Sequence, residues 1–159
     1  MNRLFVLALR VVLVILFIGS IFSESWLIPQ FARDVIAGAP ELAYLGPAYV
    51  VLWIAVAVCA QVMLVAVWTL LGKIRRGAIF TDRAFFWVDA IIGAGALATA
   101  LVAAFEVHLL GIVDVGGPPT GILLTGMVLA GAAFVLVMLV MRGLLRQATV
   151  LQSELEEVV

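Results

Sequence analysis

The sequence predicts an all-α integral membrane protein, with four transmembrane helices in an antiparallel bundle and both N- and C-termini cytoplasmic. Three observations predict it. Apolar residues make up 66% of the chain and charged residues 12%, and a mean hydropathy of +1.29 asks for lipid as the solvent, because a water-soluble domain this size has too little interior for so much apolar surface. The apolar residues gather into four runs, each near the ~20 residues that cross a ~30 Å hydrocarbon core. The basic residues fall almost entirely at one end of those runs. With a net charge of −1 and one cysteine, Cys59, the composition excludes a basic nucleic-acid binder, a disordered tail and a disulfide scaffold.

The predicted spans are residues 4–22, 49–71, 84–110 and 121–141. The third would be about 40 Å long as a helix, so it tilts or projects beyond the lipid. Residues 1–142 thus form the bundle, and 143–159 a cytoplasmic amphipathic helical tail. The first span has the layout of a secretory signal but no A-x-A site after it, so it is expected to be retained. Of the nine basic residues, Arg3 and Arg10 begin the chain, Lys73, Arg75, Arg76 and Arg83 form a basic loop between spans two and three, and Arg142 and Arg146 follow span four. Only Arg33 lies elsewhere. The positive-inside bias makes the basic side cytoplasmic and the protein a multi-pass one. Trp26 and Trp53 then mark the outer interface and Trp68 and Trp87 the inner one.

The connections read as breaks. The outer loop, residues 23–48, carries Glu24 and is divided by Pro29, Pro40 and Pro47, with room for a short interfacial helix near residues 31–36. Gly116, Gly117, Pro118 and Pro119 are expected to be non-helical and to force a tight reversal. Thr81 can cap the third span after a stop at Gly77.

Few polar residues lie within the spans. Arg10 and Asp89 share a shallow depth on the cytoplasmic side, and a charge deeper in costs at least ~2.5–3.5 kcal/mol. They can form an intramembrane ion pair; alternatively Arg10 reaches to the headgroups while Asp89 takes a hydroxyl or water. Gln61 is expected to be the single polar side chain at mid-depth, serving as interhelical glue. Glu106, His108 and Asp114 gather near the outer end of span three. Glu106 and His108 are two apart and point to opposite helix faces, which argues against a shared metal ion. Small residues repeat at four in Ala90, Ala94 and Ala98 and in Ala96, Ala100 and Ala104, with Gly126, Ala130 and Gly131 on span four. They are read as packing surface within the bundle, with a homo-oligomer as the other use. No nucleophile with a base, phosphate loop or cofactor motif is present, so no catalytic, cofactor or metal residues are expected.

Leu144, Ala148, Leu151, Leu155 and Val158 recur at alternating intervals of four and three along the tail. Leu151, Leu155 and Val158 would be a partner-contact face, and Glu154, Glu156 and Glu157, at the negative end of the helix dipole, favour a basic partner. Folding back over the inner loop, or resting on the membrane, is the other reading of the same stripe.

The stretch VCAQVMLVAVW over residues 58–68, Arg75, Arg76 and Gly77 with Phe80 and Thr81, WVDAIIGA over 87–94 and the ending ELEEVV resemble a bacterial membrane family. It is the one catalogued as domain of unknown function 2975, and the likeness is greatest to its actinobacterial members, from span two to the C-terminus. The resemblance implies a four-span protein of the cytoplasmic membrane with unassigned activity. Some members are encoded beside small helix-turn-helix regulators, which implies a regulatory partner. The expected function is therefore membrane-side regulation or anchoring of a cytosolic, DNA-binding partner through protein contacts, without catalysis. An accessory subunit of a larger membrane complex is the second reading and a small transporter the third.

Overall fold

The computed structural model describes residues 3–38, 40–74, 82–113 and 117–157, and all of these but Val113, a bend, are helical. Helix α1 covers Arg3–Phe22 and passes through a π-helical turn, Ser23–Leu27, into α2, Ile28–Gly38. A 3₁₀ segment, Pro40–Leu45, leads to α3, Gly46–Ile74. Helix α4, Asp82–Glu106, ends in a second π turn, Val107–Ile112, and α5 runs unbroken over Gly117–Glu157.

Four of these stretches are long and apolar enough to cross a membrane: Val6–Gln30, Ala43–Gly72, Phe85–Ile112 and Gly117–Val150. The architecture is that of a multi-pass membrane protein. The first is longer than its expected residues 4–22, because the helix does not stop at Ser23, Glu24 and Ser25. Ser25 instead returns its hydroxyl to the Ile21 carbonyl at 2.8 Å. The Ile28 amide bonds to the Ser23 carbonyl, five residues back. Pro29 has no N–H to continue a regular ladder, and the wider turn ahead of it accommodates that loss.

The expected reversal at Pro118 and Pro119 is also corrected. Both prolines lie in the first turn of α5, where an amide has no intrahelical acceptor to lose and a fixed φ suits the helix. Gly117, the first residue of α5, has a φ of +63°, one that L side chains rarely adopt. Gly77 and Thr81 lie outside the described residues.

Adjacent spans are antiparallel and packed in chain order, α1 on α3, α3 on α4 and α4 on α5, so the extensive seams are those of α4 with its two neighbours. The buried apolar side chains follow this row: Val6 and Leu13 on α1, Cys59, Ala66 and Leu71 on α3, Ile91 and Val102 on α4, Leu124 on α5. Ala66 is wholly buried. The α4–α5 seam closes over Gly131, where an added Cβ would come within 3.2 Å of Thr99 Cβ and Cγ2, and over Gly95, where it would meet the Phe134 ring at 3.1 Å. Of the two alanine rows, Ala90, Ala94 and Ala98 are half-buried, whereas Ala96, Ala100 and Ala104 are exposed.

Candidate functional site

The polar side chains of the spans meet in pairs across the seams. On the α1–α3 seam, Gln61 Nε2 donates to Glu24 Oε1 at 2.8 Å and lies 3.4 Å from Ser20 Oγ. All three residues lie within the spans. Gln61 is therefore not the single polar side chain at its depth: Ser20 of the first span and Glu24, expected in the outer loop, both meet it. Glu24 is brought in by the π turn, which lets α1 continue past it. An unpaired carboxylate would be costly in lipid, and the amide N–H offsets part of that cost while joining the two helices. The sequence signal was available: Trp26, Leu27 and Ile28 resume the apolar run directly after Ser25.

At the end of the row where α1 begins and α5 leaves, Asp89 is held by Arg142. Arg142 Nε lies 2.6 Å from Asp89 Oδ1, and Nη2 donates to Oδ2 at 3.1 Å, the two-pronged geometry in which arginine binds carboxylate best. The expected pair of Arg10 with Asp89 is thus replaced. Matched depth was the argument for it, but α1 lies on α3 while Asp89 belongs to α4, whose other neighbour is α5. Arg10 instead places its guanidinium over the Trp68 ring, 5.2 Å from the centroid, a cation–π contact.

At the other end of the row, the Tyr49 hydroxyl and His108 Nδ1 are 2.9 Å apart. Phe105 packs edge-on against both Tyr49 and Trp53. Thr125 donates its hydroxyl to Glu106 Oε1. His108 thus faces α3 and Glu106 faces α5, on opposite sides of their helix as their spacing requires.

Of the other residues singled out in the sequence, Lys73 lies in the last turn of α3, Arg83 in the first turn of α4, and Leu151, Glu154, Leu155, Glu156 and Glu157 continue the helical backbone of α5. The side chains of these residues, together with Arg75, Arg76 and Val158, lie outside the described residues.

No curated protein and no solved structure matches the chain significantly. A family model described as Protein of unknown function (DUF2975) matches residues 31–159. The match begins inside α2, earlier than the resemblance read from span two onward, and leaves Arg10, Ser20 and Glu24 ahead of it. It covers three of the four spans whole and the entire length of α5, so the chain belongs to the DUF2975 family.

Proposed function

We propose that this is a multi-pass protein of the bacterial cytoplasmic membrane, both termini in the cytoplasm, that acts without catalysis of its own. In this reading it regulates or anchors a cytosolic partner, such as a DNA-binding regulator, from the membrane side. The observation that carries the reading is the length of α5. Its 41 residues make a rod of about 60 Å, roughly twice the hydrocarbon thickness. Its last turns therefore stand clear of the lipid as part of the helix that Asp89 grips through Arg142. In the sequence, Leu151, Leu155 and Val158 recur at helical spacing, and Glu154, Glu156 and Glu157 accompany them with negative charge.

Deleting residues 150–159 tests the reading. The four spans should still insert, because insertion depends on apolar length and flanking charge, while the cytosolic partner no longer co-purifies in mild detergent. A truncated protein that keeps its partner refutes it. A second reading, an accessory subunit contacted inside the membrane, is favoured by the exposed row of Ala96, Ala100 and Ala104, over which another helix can approach closely.

A further inference from the structure

The α1–α3 seam is open along its middle. A cavity of about 230 Å³ runs there, walled by Leu13, Val14, Phe17 and Ile18 on α1 and by Val65 and Trp68 on α3. Its lining is apolar. Arg10, one helical turn before Val14, stacks on the lining Trp68. Its Nε is buried without an acceptor, and among the described residues no carboxylate or carbonyl meets its terminal nitrogens. Beyond the groove, toward the end of α1, Ser20, Gln61 and Glu24 bond among themselves. From Arg10 to Ile18 is about 12 Å along the helix.

We infer that this groove binds one acyl chain of an anionic phospholipid, with the headgroup phosphate on Arg10 and the chain lying over Trp68, Val14 and Ile18. The charge complementarity is specific to this seam, because the other described arginine at this depth, Arg142, is already neutralised by Asp89. Phosphate supplies the acceptors that the guanidinium lacks, in the bidentate geometry arginine favours. The apolar walls supply the remainder.

Trp68 lines the groove and reports on it directly. In a variant with Trp26, Trp53 and Trp87 changed to Phe, reconstituted in phosphatidylcholine vesicles, acyl-brominated phosphatidylglycerol as a minor component should quench Trp68 more strongly than equally brominated phosphatidylcholine. The expected preference is about fivefold, the size of one arginine's attraction to an anionic headgroup. Arg10→Gln should abolish it, whereas Arg146→Gln, which removes an equal charge from α5, should leave it. Equal quenching by the two lipids, a preference that survives Arg10→Gln, or one that Arg146→Gln lowers as much, overturns the assignment. Should Arg10→Gln fail to insert, Val14→Phe decides in its place, since it fills the groove and keeps the charge: loss of the preference supports the site and its retention overturns it.

Discussion

Asp89 shows what a single ionisable side chain requires in a membrane helix. It lies one turn or so inside the span Phe85–Ile112, where a carboxylate without a partner is costly, and the fork of Arg142 meets both of its oxygens. Removing either partner strands the other. Asp89→Asn and Arg142→Gln should therefore each destabilise the protein, and the double variant should cost less than the sum, with a coupling of about 0.5–3 kcal/mol. Asp89→Asn combined with Arg10→Gln should be additive to within about 0.5 kcal/mol, because the two side chains share no contact partner. Unfolding in detergent with a denaturant series measures both cycles. Coupling to Arg10 but not to Arg142 would reinstate the pairing inferred from depth.

Between neighbouring helices, backbone proximity decides the fit. Gly131 meets Thr99 so closely that a Cβ there must displace the threonine. Thr99 cannot swing aside freely, since its hydroxyl donates to the Gly95 carbonyl at 2.8 Å. Gly131→Ala should lower stability by about 1–3 kcal/mol, the usual cost of overpacking, although alanine is the better helix former. Adding Thr99→Ala should recover much of the loss. Gly126, with nothing within 4 Å of its would-be Cβ, is the control, and Gly126→Ala should leave the melting temperature unchanged or raise it. Equal effects at both glycines would remove Gly131 from the seam. The two π turns act at this scale as well: one carries Glu24 toward α3, and the other turns His108 toward Tyr49.

At the scale of the molecule, the spans form a row in chain order, and the outward faces of α1 and α5 are broadly apolar, with Leu4, Leu7 and Ile15 on the first and Ile122, Leu129 and Leu136 on the second each more than half exposed. Lipid is the solvent that such faces suit. The proposed orientation rests on charge and is open to test. Gly77→Cys should be shielded from an impermeant thiol reagent in intact cells and Pro118→Cys should react, with Cys59 silent because it is buried. The reverse pattern would invert the topology and put the projecting end of α5 outside the cell.

Much of this protein was legible in the sequence, and what was legible has one cause. A bilayer sorts residues along a single axis, so apolar run length and basic flanks locate the spans, and the opposite orientations of Glu106 and His108 follow from their spacing. The places where that reading failed are those where position along the axis was insufficient. Ser23, Glu24 and Ser25 looked like the end of a span because a count of polar residues cannot register a π turn or a glutamine waiting on the facing helix. Pro118 and Pro119 looked like a break because a proline's effect depends on whether it falls in the first turn of a helix or its interior. Arg10 and Asp89 looked like partners because their depths match, and only the tertiary structure decides who stands beside whom. Here packing in chain order gives Asp89 to α5 and leaves Arg10 beside Trp68 at the head of a groove. Depth is set by transfer from water to lipid, which each residue contributes separately. The choice of neighbour is set by contacts between helices, and those exist only once small residues such as Gly95 and Gly131 have let the backbones come together.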